Sequence, residues 1–265
     1  MLSIEKQLLF LLSRTESMES QELIRIYEKR NYSAPYIRNA LSRLKKEGYA
    51  ITPSRSSYRI TDAGRSFIQS INLKPRLYDD HWDHMWHLVM LEIPESERKK
   101  RDQFRTDITQ VGFGLLYNSV YISPWSYDSE VLQLIDKHQL DKRVTIFRGT
   151  LPHQPITPEQ ASRIWQLPQV EQMYREQWQT FTGQFQPAMQ KALHSHAEPL
   201  ELFTLYLHLG EMISGLYLVD PMLPESLLPP QWEGKKILQT LQQHLAELVQ
   251  AIPSDSFYAS FLDKA

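Results

Sequence analysis

The sequence predicts an α+β chain built from three successive parts, and three observations predict it. Apolar residues recur at helical spacing through most of the first 70 residues and again beyond residue 157. Between these stretches, short apolar runs of strand length alternate with two helical patterns. Charge divides along the same line: residues 1–75 hold thirteen lysines and arginines against seven acids, a net of +6, so the remainder carries −8 of the chain's −2.

In the first part, 1–75, Ile4, Leu8, Leu11 and Leu12 mark one face of a helix over 3–14. A second helix over 20–30 follows, with Ser20 as its cap and Leu23, Ile24 and Tyr27 as its apolar positions. Ser33 can cap a third helix over 34–47, with Pro35 in its first turn and Gly48 closing it. At about 100° per residue, Ile37, Ala40, Leu41 and Leu44 fall in an arc of about 100°. Arg38, Asn39, Ser42, Arg43, Lys45 and Lys46 fill an arc of about 160° opposite. Residues 49–52 and 58–60 then read as two short strands around a turn tipped by Arg55, Ser56 and Ser57, and Thr61 starts another helix to about residue 70. Three helices and a basic hairpin, with the third helix polar on its outward side, make a winged helix-turn-helix.

Such a surface suits duplex DNA. On charge alone a plain solvated face is the simpler reading, but the wing and the polar arc together favour nucleic acid. Arg38 or Arg43 can fork onto guanine and Asn39 can pair with adenine, with Ser42 on the same arc. Lys45 and Lys46, nearer the helix end, fit phosphate, while Arg55, Ser56, Ser57 and Arg59 in the wing reach the minor groove or its flanking phosphates.

The second part, 76–152, begins at the aromatic and acidic stretch YDDHWDHMW. Residues 86–94 read as a buried strand, and 97–111 as a helix with Phe104, Ile108 and Val111 on one face. Residues 112–124 read as two strands turning at Asn118-Ser119, 128–139 as a helix and 143–149 as a last strand. The order β-α-β-β-α-β is that of the ferredoxin-like split unit. The third part, 153–265, is all helical: about 157–165, 168–191, 198–218 and 235–251. Prolines 221, 224, 229 and 230 bar regular helix from the loop 219–235, which is expected to pack as an extended clasp.

Whole classes of chemistry drop out. No cysteine is present, which removes disulfides, thiolate catalysis and cysteine-ligated metal. The signatures G-x-S-x-G, H-E-x-x-H, G-x-x-x-x-G-K and G-x-G-x-x-G are absent. His81, His84 and His87 with Asp79, Asp80 and Asp83 have a spacing that fits neither one helix face nor one strand face, so no metal and no other cofactor is expected. The first residues lack a basic n-region, and the most apolar run, LFTLYLHLGEMISGLYLV, is broken by His208 and Glu211. The expectation is a cytoplasmic protein with no membrane segment. The cations Arg98, Arg101 and Arg105 open the first helix of the second part; they could meet ligand phosphates or serve a solvated or interface role.

These residues resemble the PaaX family of bacterial transcriptional regulators, named for the repressor of phenylacetic-acid catabolism. The resemblance spans nearly the whole chain. It rests on 36–48 (YIRNALSRLKKEG) and 58–65 (YRITDAGR), then on Trp82-Asp83, Trp86, Ile93-Pro94, Phe104-Arg105, Gly112-Phe113-Gly114 and 120–124 (VYISP). Its most specific element is the loop with Asp220-Pro221-Met222-Leu223-Pro224, Leu227-Leu228-Pro229 and Trp232-Glu233-Gly234. His84 stands where the family usually has glycine, and an arginine-rich stretch before the Asp-Pro is missing.

The resemblance implies a non-enzymatic repressor of an aromatic-acid catabolic operon. It implies a homodimer on double-stranded operator DNA, released by an aryl-acetyl-CoA-like thioester; the cations Arg98, Arg101 and Arg105 suit the phosphates of such a ligand, though a solvated or interface role is the plainer reading for them. The central module also resembles small CRISPR-associated endonucleases, so a metal-dependent nuclease is the alternative. Glu92 is its only carboxylate near the first strand, with no acidic partner for a metal.

Overall fold

The computed structural model describes residues 4–72, 74–153 and 155–262. The chain is mixed α/β with two antiparallel sheets, and it divides into two compact units that are each discontinuous in sequence. One runs to Asn72 and adds Arg175–Gly215 and the chain from Lys236 onward. The other takes the chain between Asn72 and Arg175 together with Leu216–Lys235.

The first unit opens with α1 (Ile4–Ser13), β1 (Met18–Glu19), α2 (Ser20–Glu28), α3 (Ala34–Lys46), β2 (Ala50–Ile51), β3 (Ser57–Ile60) and α4 (Asp62–Asn72). The helices lie where apolar spacing placed them: Leu8, Leu11, Leu12, Leu23, Ile24 and Tyr27 are all buried. One boundary is corrected. Glu19, not Ser20, caps α2, and its backbone N–H donates to the Glu22 carboxylate at 3.1 Å. Glu19 also belongs to β1, an element absent from the sequence reading because two residues carry no periodicity. β1 pairs with β3 (Met18 opposite Tyr58), giving the order β1-β3-β2.

The second unit carries β4 (Trp86–Leu91), α5 (Arg98–Val111), β5 (Gly114–Tyr117), β6 (Val120–Ser123), α6 (Asp128–Lys137), β7 (Val144–Gly149) and α7 (Pro158–Ile164). Its four strands are ordered β5-β6-β4-β7, each antiparallel to its neighbour. Val89, Leu91 and Tyr121 pack on Phe104 and Ile108 of α5 and on Val131 and Ile135 of α6. The alternate residues Trp86 and Ile122 face the other way, onto Ala161, Trp165, Leu223 and Leu227. Both faces of β4 are therefore covered, which is why 86–91 reads as a nearly continuous apolar run rather than an alternating one. Gly114 permits the second cover: a Cβ there would meet Ile164 Cγ2 at 2.3 Å and the Trp165 ring at 2.8 Å.

Four long helices complete the chain: α8 (Leu167–Thr180), α9 (Gln186–His194), α10 (Pro199–Val219) and α11 (Gly234–Ala251). α8 and α9 are joined by a π turn, Phe181–Phe185, closed by the Gln186 N–H on the Phe181 carbonyl. Pro187 explains it, because the ring removes the N–H that an unbroken α-helix would use one residue later. By length and composition α10 could cross a membrane, yet 56% of its most apolar window is buried within the chain, as in a core helix. Phe203 on α10 stacks with Tyr258 at 5.0 Å and contacts Phe261 at 5.5 Å.

Candidate nucleic-acid interface

α3 is a well-terminated helix with two unlike faces. The Ser33 hydroxyl accepts from the Tyr36 N–H at 3.4 Å and Pro35 sits in the first turn. At the other end Gly48 takes φ +79°, a conformation any side chain would strain. The Thr61 hydroxyl donates to the Gly48 carbonyl at 2.7 Å and accepts from the Gly64 N–H at 3.2 Å, so one side chain ties the end of α3 to the start of α4. Ile37, Ala40, Leu41 and Leu44 are buried. Arg38, Asn39, Ser42, Arg43, Lys45 and Lys46 are exposed together along the opposite face.

Further details concern that face and the β2–β3 hairpin that follows it. Arg43 pairs with Glu5 of α1 at 3.1 Å; an exposed pair of this kind is worth about 0–1 kcal/mol and is readily exchanged for a stronger anion. Arg55 and Ser56 stand exposed at the tip, with Ser56 at φ +63°. Ser57 is corrected: it does not lie at the tip but inside β3, opposite Glu19, with 4% of its surface exposed. Arg59, also on β3, is half-buried and pairs in register with Ile51.

In the second unit Arg98 and Arg101 stand on the outer side of α5, tied to Glu95 and Asp102 at 2.8–3.9 Å, and Arg105 is exposed. An open cavity of about 560 Å³ lies elsewhere in that unit, walled by Leu115, Leu116, Leu151, Ile156 and Ile164 with Arg163 at its margin. The acids and histidines of 79–87 are dispersed: Asp83 pairs with Arg148 at 2.6 Å, Asp79 with Lys235 at 3.1 Å, and His87 is buried in β4. Among the described residues no group of three His, Cys, Asp or Glu side chains is placed to hold a metal ion, and Glu92 is exposed, its N–H bonded to the Arg143 carbonyl. Nothing here favours the nuclease alternative. His84 takes φ +60°, which accounts for a glycine preference at this turn.

The residue that sequence reading undervalued is Asp220, which terminates α10 and is completely buried. Tyr78 and Tyr174 each donate to its Oδ2 at 2.5 Å, and the Met222 N–H donates to Oδ1 at 2.7 Å. Trp232 donates in turn to the Tyr78 hydroxyl at 3.0 Å, and Trp125 to the Met222 carbonyl at 2.7 Å. One carboxylate thus organises the loop 219–235 inside the second unit. Burial raises the Asp220 carboxyl above its usual range, opposed by the hydrogen bonds it accepts.

The Lys74 ammonium, buried beside the Asp220 carbonyl at 3.4 Å, is lowered to about 8 by desolvation. Between that value and the ordinary lysine range the unfolded chain binds the extra proton, so stability must rise with pH. The denaturation midpoint is therefore expected to climb from pH 7.5 to 9.5, and the climb to vanish in Lys74→Met; an equal slope in both would contradict it. Tyr78 and Tyr174, held above the normal tyrosine range by burial, stay protonated across this window.

Comparison with known proteins agrees with this arrangement. A model of the PaaX protein central Cas2-like domain matches residues 79–161, and one of the PaaX-like protein C-terminal domain matches 165–259. The transcriptional repressor PaaX of Escherichia coli (strain K12) is 26% identical over 245 residues, spanning 88% of this chain and 76% of that protein. Among solved structures, an uncharacterized protein from Mycobacterium tuberculosis shares the fold with a TM-score of 0.56 at 18% identity, over 96% of this chain and 97% of that one. With two successive domains of one family matching residues 79–161 and 165–259, and a relative whose match spans 88% of the chain, the chain belongs to the PaaX family.

Proposed function

We propose that this chain is a DNA-binding transcriptional repressor, as its Escherichia coli relative is named. The observation that carries the reading is α3: one face buried, the other an unbroken row of exposed arginine, asparagine, serine and lysine flanked by the Arg55 tip. In this reading 1–75 is a winged helix-turn-helix with α3 in the major groove and the wing on the adjacent backbone. Residues 76–152 form a ferredoxin-like module, which the all-antiparallel order β5-β6-β4-β7 supports. Residues 153–265 supply the helical regulatory part. The protein acts in the cytoplasm as a homodimer, because a single winged helix covers too little DNA for a specific site. An aryl-acetyl-CoA-like thioester releases it from the operator of an aromatic-acid catabolic operon. The cavity lined by Leu115, Ile156, Gln160 and Arg163 offers such a ligand an apolar wall for its acyl end and a cation.

The test begins with wild-type protein and a library of random duplexes. A repressor selects a sequence with two half-sites about 10 bp or a multiple apart, and light scattering gives two chains per duplex. Phenylacetyl-CoA then lowers affinity for the selected duplex, and the duplex lowers affinity for phenylacetyl-CoA by the same factor, as linkage requires. Failure to select any sequence would overturn the DNA-binding reading. Equal ligand affinity with and without duplex would remove that thioester as the effector.

A further inference from the structure

Within the first unit, one buried side chain joins the recognition helix to the C-terminal helices. Arg30 lies in the turn between α2 and α3, and its side chain is 8% exposed. Its guanidinium donates to the Gln7 side chain of α1 and pairs with Glu211 of α10, itself 6% exposed. It also lies over the rings of Tyr27 and Tyr32, 5.8 and 5.9 Å from their centroids. Tyr32 meets Tyr27 edge-on at 5.9 Å and stacks flat on Tyr36 at 5.7 Å. Tyr36 is in the first turn of α3 and 45% exposed, beside the residues assigned to DNA. A continuous line of contacts thus runs from Glu211 on α10, through Arg30 and Tyr32, to the exposed start of the recognition helix.

Packing strength alone does not account for this arrangement. A buried ion pair is weak evidence for stability, since its desolvation penalty can equal its attraction. Two atoms around this one are left without partners: Glu211 Oε1 and the Tyr27 hydroxyl are buried and make no hydrogen bond. The turn it grips is also one that needs holding, because Asn31 takes φ +62° and the Tyr32 N–H reaches back to the Tyr27 carbonyl at 3.1 Å. Glu211 itself belongs to α10, one continuous helix from Pro199 to Val219.

We propose that Arg30 is a positioning residue for DNA recognition: anchored to Glu211 and Gln7, it fixes the α2–α3 turn and, through the Tyr32–Tyr36 stack, the angle at which α3 is presented, so that α10 sets DNA affinity. This rests on the reading of α3 as the DNA-contacting helix, and it adds the side chains through which the regulatory helices act on it.

The double variant Arg30→Met/Glu211→Met separates positioning from mere stability, because replacing both charges with apolar groups of similar volume is often neutral for folding. Hydrogen exchange across residues 30–37, thermal melting, and affinity for the duplex selected by the wild type are measured together. The double variant is expected to melt near the wild type, to exchange faster over 30–37, and to bind the selected duplex about tenfold more weakly, within the range of coupling through a packed network. Unchanged exchange over 30–37, or unchanged affinity despite faster exchange, would overturn the proposal. Glu211→Gln, which keeps the shape of the site, is expected to change exchange and affinity in the same direction and serves if the double variant does not fold. If the wild type selects no duplex, it is the DNA-binding reading that fails, and the exchange comparison still decides whether Glu211 and Arg30 anchor the turn.

Discussion

Asp220→Ala is expected to lower the unfolding free energy of the second unit by about 3–5 kcal/mol, the largest loss of any single substitution outside the apolar core. The reason is the number of donors that converge on one carboxylate. Removing it strands the Met222 N–H and one of the Tyr78 and Tyr174 hydroxyls, which also hydrogen-bond to each other, and each buried donor without an acceptor costs about 1–3 kcal/mol. The loss is moderated because the buried charge itself disappears. Asp220→Asn should fall between wild type and alanine, since an amide keeps one acceptor oxygen but presents an N–H₂ to donors that cannot use it. Urea unfolding followed by tryptophan fluorescence reports directly, because Trp232 donates to Tyr78 and Trp125 to the Met222 carbonyl. A change below about 1 kcal/mol for Asp220→Ala, inside the usual range for a single ordinary hydrogen bond, would contradict the role assigned to it.

This prediction also marks where sequence reading stops. The Asp-Pro after a long helix and the proline-rich loop behind it were visible as a motif, and a packed clasp was the right expectation. Which tyrosines would meet the aspartate was not visible, because Tyr78, Tyr174 and Asp220 are separated by 96 and 46 residues in a chain with thirteen tyrosines. The helices of 4–72 were legible because of their apolar spacing, with α3 also marked by its Ser33 cap; β1 was not, because a two-residue strand is defined only by its partner β3. Ser57 was misplaced for the same reason: that pairing draws it out of the turn and buries it. The sheet order β5-β6-β4-β7 follows from the order of elements, but the cover on its second face comes from 161–167 and 223–228, segments whose own periodicity shows only that they have an apolar side.

Long-range charge pairing was the least legible feature of all. Glu211 could be noticed as the one acid within the apolar run 202–219 of α10, beyond Glu201 in its first turn, and an acid there demands a partner. Nothing in the sequence names Arg30 as that partner. The two compact units likewise cut through α8, α10 and α11, where no change of composition marks a boundary.

On the exposed face of α3 proposed to read DNA, Arg43→Ala is expected to weaken binding to the selected duplex by about 1–3 kcal/mol while leaving binding to random duplex nearly as it was, so that base preference relaxes. Lys46→Ala should behave differently, weakening selected and random duplex alike and reducing the slope of log affinity against log salt by about one contact. The contrast follows from position. Both lie in the last turn of α3, but Arg43, three residues before the end, carries a guanidinium that can fork onto a base edge, whereas Lys46 ends the helix with a flexible ammonium that suits phosphate. The Arg43–Glu5 pair adds a further arm, because Arg43 must leave Glu5 to reach a base. Glu5→Gln removes that competitor and one negative charge beside the DNA, so affinity for the selected duplex should increase, and the increase should be lost when Arg43→Ala is combined with it. Fluorescence anisotropy with selected and random duplexes over a range of salt reads all three variants. Equal losses on both duplexes for Arg43→Ala would place that side chain on phosphate, and wild-type affinity in both Arg43→Ala and Lys46→Ala would remove α3 from the interface.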